Sequence, residues 1–148
     1  MKGTCVSVED QVLKELSTLR SAVRGVEGCV VATSDGLLVA HVLPEPEQEQ
    51  SQVAALISTL TAVARQAILI TGRGELLEAA ILGTSGYVAV YAVGDSAVLA
   101  VLGRPNLNIA LLQHRTRPVV ERLEALADNF TRFATGPALV ASLQESTH

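Results

Sequence analysis

Apolar residues return at Val12, Leu16, Leu19 and Val23, at spacings of four, three and four, while Lys14, Ser17 and Ser21 fall opposite them. This is the helical period with one narrow apolar stripe. Ser7-Val8-Glu9-Asp10 supplies its start, a hydroxyl that can accept from the backbone three residues on and two acids at the positive helix end. Gly25 and Gly28 flank its stop, and Cys29 to Thr33 is a short, partly β-branched run of the kind that forms strands. Ser34-Asp35-Gly36 then provides a tight reversal into a second strand, Leu37 through Leu43. Both strands are apolar at consecutive positions and do not alternate, so both faces of the sheet must be covered by helices.

Pro44-Glu45-Pro46-Glu47-Gln48-Glu49-Gln50 reads as a surface connection, because its prolines remove donors and its acids repel. From Gln52 to Thr71 the period is helical again. Val53, Leu56, Ile57, Leu60, Val63, Ala67, Ile68 and Ile70 make a broad apolar face expected to pack on the sheet. The opposite face carries Ala55, Ser58, Thr59, Ala62, Gln66 and Leu69, with Arg65 at its edge as the only charge. A solvated helix back would show several Lys or Glu residues, so this small-residue face is expected to be covered by another protein surface. Gly72-Arg73-Gly74 ends the helix. Three strands follow, Glu75 to Leu82, Tyr87 to Val93 and Ala97 to Leu102, joined by turn-forming Gly83-Thr84-Ser85-Gly86 and Gly94-Asp95-Ser96 into an antiparallel meander. The last strand has no polar position and belongs in the middle of the sheet. Asn108 caps a third helix bearing Ile109, Leu112, Val119, Val120, Leu123 and Leu126, in which Pro118 should kink or break the chain near His114 to Arg117. Phe130 and Phe133 are expected to anchor back on the body. The domain is expected over 7–128, with 129–148 a mobile tail, above all from Gly136 onward.

The chain's 148 residues fit one core, and 49% hydrophobic against 18% charged residues excludes wholesale disorder. Eleven scattered basic residues against fifteen acidic ones leave no footprint for nucleic acid. Ser or Gly interrupts every apolar stretch short of the ~20 residues that cross a bilayer, and the N-terminus has no apolar signal core, so a soluble, cytoplasmic protein without membrane insertion is expected. Cys5 and Cys29 read as free thiols, one near the terminus and one buried in a strand.

Catalytic candidates are scarce. Gly72-Arg73-Gly74 has Leu77 where a dinucleotide fingerprint needs its third glycine, and it opens a strand where a helix is required. Gly83-Thr84-Ser85-Gly86-Tyr87 lacks the last glycine of a nucleophile elbow and lies between strands, which makes Ser85 a turn residue. His41, His114 and His148 have no Cys or His at ligand spacing, and no Gly-rich stretch ends in Lys-Ser or Lys-Thr. Tyr87 and Tyr91 share a strand face with Ala89 and read as core packing.

The order is helix, hairpin, helix, three-stranded meander, helix. With Thr33-Ser34-Asp35-Gly36-Leu37-Leu38, Gly72-Arg73-Gly74-Glu75, Gly86-Tyr87 and Val93 through Val101, the chain resembles the Roadblock family, the dynein-light-chain-related domain common in bacteria, over about Val8 to Leu126. Pro118, the acidic Pro-Glu insert and the tail depart from its pattern. The resemblance implies an α+β, profilin-like single domain, a five-stranded antiparallel sheet with the second helix on one face and the first and third on the other. It implies a non-enzymatic homodimer that binds and regulates a small Ras-like GTPase, with no cofactor, no metal and no catalytic residue. Family dimers form through the second helix and third strand, which places Ala55, Ser58, Thr59, Ala62, Arg65, Gln66, Leu69, Leu77 and Ala79 at the dimer and partner surface. A profilin-like sensor holding a small ligand beside the sheet is the alternative.

Overall fold

The computed structural model describes residues 7–43 and 49–132, with side chains as far as Phe130. Helix α1 (Val8–Ala22) begins where the Ser7 hydroxyl accepts from the Asp10 N–H at 3.1 Å. Its stripe of Val12, Leu16, Leu19 and Val23 is wholly buried, as the spacing predicts. Strand β1 spans Val26–Thr33 and β2 spans Leu38–Val42. β1 starts earlier than the sequence suggests because Gly28 does not end the helix; it sits in the strand, beside a register shift between Val26 and Gly28. Helix α2 is Gln50–Ile70, followed by β3 (Glu78–Gly83), β4 (Gly86–Val93), β5 (Ala97–Gly103), α3 (Ile109–Leu126) and a 3₁₀ turn over Ala127–Arg132.

All strand pairs are antiparallel, in the order β2-β1-β5-β4-β3, which makes the all-apolar β5 the central strand. The two-residue period of the strands splits the core in two. Cys29, Val31, Ala89, Tyr91, Val93, Leu99 and Val101 point to the α1/α3 side, while Val30, Ala32, Val90, Val98 and Ala100 point to α2. This is the three-layer arrangement expected from strands without alternation. On the α1/α3 side, Arg122 Nε reaches a Glu15 carboxylate oxygen at 2.8 Å across the two helices.

Two expectations need correction. β3 begins at Glu78 and not at Glu75, because 75–77 cross from the helix to the sheet edge with Leu76 buried and Leu77 exposed. α3 is unbroken through Pro118. The proline lacks the N–H that the His114 carbonyl would accept, but both residues face solvent, so water can take that place. Phe130 is buried in the larger cluster, while Cys5, the connection 44–48, Phe133 and 136–148 lie outside the described residues.

α2 is long and apolar enough to cross a membrane by length and composition alone, yet one side of it is packed on the sheet. The central strand carries most of the burial. Leu99→Ala should lower the unfolding free energy by about 3 kcal/mol, measured by urea denaturation, because a fully buried leucine in mid-sheet leaves a cavity that two covered faces cannot collapse.

Candidate functional site

Helix α2 is apolar nearly all round, so what decides its orientation is where its few polar side chains find partners. Ala54, Ile57, Ser58 and Thr61 face the sheet and are buried. The Ser58 hydroxyl lies 2.8 Å from both the Ala54 carbonyl of its own helix and the Thr33 carbonyl at the end of β1, its single proton serving either. Thr61 donates to the Ile57 carbonyl at 2.7 Å. One turn on, Arg65 Nη2 donates to the Gly94 carbonyl at 2.7 Å, and its other nitrogen lies 3.7 Å from the Asp95 carboxylate. The β4–β5 turn is tied in turn to the β1–β2 turn, where the Ser34 hydroxyl donates to the Asp95 carbonyl and the Ser34 N–H to the Ser96 carbonyl, both at 2.8 Å. One face of α2 is thus fastened to two hairpin turns at one end of the sheet.

These contacts remove Ser58 from the face where the sequence reading put it. It is 5% exposed and holds the helix to the sheet. Ala55 is half-buried over Gly36 of the hairpin turn, and Arg65 is engaged by Gly94 and Asp95. Conversely Leu56, Val63 and Ile70, expected in the core, are exposed by 62%, 62% and 79%. The physical reason is that small and hydroxyl-bearing residues let the helix lie close on the sheet and bond its carbonyls, which longer side chains at those positions would prevent. Leu56, Thr59, Val63, Gln66 and Ile70 succeed one another at alternating spacings of three and four, the spacing of a helix-packing seam. Ala62 and Leu69 flank this seam and are exposed.

A glycine turn ends helix α2 and redirects the chain toward the sheet. Gly72, at φ 70°, lets its own N–H reach the Leu69 carbonyl and the Arg73 N–H reach the Ile68 carbonyl, satisfying the last helical acceptors. The chain then turns into β3, which pairs only with β4 among the described residues and so presents a free edge. Ala79 and Ile81 sit on the α2 side of β3, opposite Val90 and Val88. Ala79 is half-buried there, while Leu77, Ile81 and Leu82 are 68%, 47% and 67% exposed. The outer seam of α2 and this uncovered strand form the apolar surface of the molecule.

Reactive groups are buried or dispersed. The Cys29 thiol is free, and burial pushes it up to about 12 from its ordinary 9.0, partly offset by the Arg20 guanidinium. Burial and the neighbouring Glu78 carboxylate likewise raise the Tyr91 hydroxyl. His41 lies in β2 and His114 on exposed α3, and no group of three His, Cys, Asp or Glu among the described residues is placed to hold a metal.

The family model described as the Roadblock/LC7 domain matches residues 12–103, from within α1 to the last residue of β5. An uncharacterized protein of Methanocaldococcus jannaschii, MJ1340, is 27% identical over 117 residues, spanning 79% of this chain and 97% of that protein. Among solved structures, a Roadblock/LC7 domain from Streptomyces avermitilis superposes with a TM-score of 0.69 at 24% identity, over 76% of this chain and 93% of that one. The gliding protein MglB of Thermus thermophilus superposes at 0.73 with 15% identity, over 83% and 93%. Myxococcus xanthus MglB does so at 0.73 with 14% identity, over 80% and 96%.

Ser58→Ala should cost about 1 kcal/mol of stability and Ser58→Arg several times that, whereas Ala62→Arg should leave the melting curve nearly unchanged. Stability should fall as pH rises above 9.0, because the unfolded Cys29 thiol ionises there while the folded one keeps its proton to about 12. Denaturant titrations of wild type and Cys29→Ala across that window check this, and the loss should be smaller in the variant.

Proposed function

The chain belongs to the Roadblock/LC7 domain family, and on that premise we propose that it is a cytoplasmic, non-catalytic homodimer that binds and regulates a small Ras-like GTPase. The observation that carries the reading is the placement of exposed apolar bulk. Among the described residues, every large hydrophobic side chain left exposed lies either on α2 (Leu56, Val63, Leu69, Ile70) or within 77–82 (Leu77, Ile81, Leu82). Burying one such side chain is worth roughly 1.5–3 kcal/mol, and a twofold interface buries each of them twice. Summed over these side chains the gain exceeds the ~4–15 kcal/mol that association costs in lost freedom, so self-pairing through this surface is favourable. The free β3 edge supports the same pairing, since a second β3 laid antiparallel continues the sheet across the axis.

The GTPase comes from the family resemblance, and the surface supports it in one respect. Two antiparallel α2 helices paired along the 56-to-70 seam leave their flanks uncovered, and there Ala62, bordered by the outer edges of Thr59, Gln66 and Leu69, offers a weakly polar platform suited to a protein partner. Ala55, Ser58 and Arg65 belong instead to the attachment of the helix, Leu77 and Ala79 to the strand side of the dimer. With no phosphate-binding loop in the chain, nucleotide chemistry falls to the partner.

Val63→Arg puts a long cation at the centre of the seam and should raise the dimer dissociation constant by about a hundredfold or more, with far-UV helicity intact. Sedimentation velocity at micromolar concentration checks this, and a wild-type chain that stays monomeric would reject the dimer. Native mass spectrometry should show a doubled mass; a bound small molecule on a monomer would favour the sensor reading. The purified chain should release no phosphate from GTP in a coupled assay.

A further inference from the structure

Where α2 ends, the crossing segment 74–78, the β4–β5 turn and the second half of α3 enclose a cleft of about 970 Å³. Five carboxylates line it: Glu75, Glu78, Asp95, Glu121 and Glu124. Against them stand two guanidiniums, and that of Arg65 is already committed to the Gly94 carbonyl and Asp95. The cleft therefore carries an excess of negative charge. Its acids are not gathered into a metal site, since no three of them among the described residues are placed to hold one ion. Between them Ile68, Leu77 and Val120 supply apolar wall.

A second observation lies on the floor. Tyr91 lines the cleft and is 6% exposed, yet its buried hydroxyl has no hydrogen-bond partner among the described residues. The Glu78 carboxylate and the Thr116 hydroxyl are its polar neighbours, and the Thr116 oxygen, which does not line the cleft, is unpartnered as well. Glu78 itself accepts from the Gln113 side-chain amide at 2.6 Å. A buried hydroxyl on the cleft wall with unused capacity, beside a carboxylate that accepts from an exchangeable neutral amide, makes a seat for a group rich in N–H donors.

We propose that this cleft binds a basic peptide segment of a protein partner, with one arginine or lysine head group at Glu78 over the Tyr91 hydroxyl and the flanking side chains against Ile68 and Val120. The head group replaces the Gln113 amide at the Glu78 carboxylate. That exchange turns a neutral hydrogen bond into a charge-assisted one, and the Tyr91 hydroxyl oxygen accepts a further N–H. The volume is at the upper end for small-ligand sites and holds several side chains, and alternating charge and apolar wall matches a segment better than a single small cation. This site is separate from the 56-to-70 seam and borders the proposed dimer surface at Leu69 and Leu77.

The test uses the full chain and a fluorescein-labelled hexapeptide alternating arginine and leucine, with a glutamate-for-arginine counterpart, followed by anisotropy at low salt. The arginine peptide should bind saturably and the glutamate peptide should not. Glu78→Gln with Glu121→Gln should weaken binding about tenfold, whereas Glu9→Gln with Glu27→Gln, which removes as much charge outside the cleft, should change it less than about twofold. Tyr91→Phe should weaken the peptide about threefold while leaving the urea midpoint unchanged or higher, since it deletes an unpaired buried hydroxyl. The Val63→Arg chain should bind as wild type does. Equal losses in the two double variants, or no saturable binding of the arginine peptide at about 1 mM, would overturn the site.

Discussion

Everything on the outer surface of this molecule depends on which way helix α2 is turned, and a hydroxyl of one residue sets that. Ser58 stands against the sheet with the Thr33 carbonyl at 2.8 Å, and Arg65, two turns along the same face, holds the Gly94 carbonyl. Turning the helix by one residue would swing Ser58 away from Thr33 and force Ile57 or Thr59 into a space fitted to a small polar side chain. With the helix fixed, Leu56, Val63 and Ile70 have nowhere to go but outward. The apolar seam is the far side of a hydrogen-bonded anchor.

Most of the frame was legible from residue pattern. The α1 stripe, the caps of Ser7 and Asn108, the turn at Ser34-Asp35-Gly36 and the central place of Ala97 to Leu102 each rest on a local rule, and each stands in the structure. The rotation of α2 was not legible, because a helix apolar on most sides gives periodicity nothing to choose by, and the reading then favoured the bulkier face as core. What overruled it was tertiary: a sheet of consecutive apolar residues accepts a close helix through Ala54, Ile57, Ser58 and Thr61. For the same reason Ala62, Gln66 and Leu69 are exposed, while Ser58 is buried and Arg65 is half-buried at the edge of that face.

The cleft beside α3 had no signature in the sequence. Its acids come from the crossing segment, a hairpin turn and one helix, more than forty positions apart between Glu75 and Glu121. Tyr91 was read as core, and it is core by exposure; only the unpaired state of its hydroxyl sets it apart, which depends on where Thr116 and Glu78 fall around it. Polar satisfaction is a property of three-dimensional neighbours, so pattern reasoning has no access to it.

The central strand has a consequence for how the chain is made. β5 joins the β1–β2 hairpin to the rest of the sheet, with Thr33 paired to Ala97 and Val26 to Gly103. Those partners are 64 and 77 residues apart, so during synthesis β1 waits on one side for a strand that has not yet left the ribosome. α2 emerges in the interval with its docking platform half built, because Val98 and Ala100 supply part of the surface it packs on. High sequence separation of this kind slows folding, and here the platform under the helix is completed only when β5 arrives. The nascent chain therefore carries an apolar helix with an incomplete seat for the time it takes to add about thirty residues, a stretch of synthesis open to a chaperone or a second nascent copy.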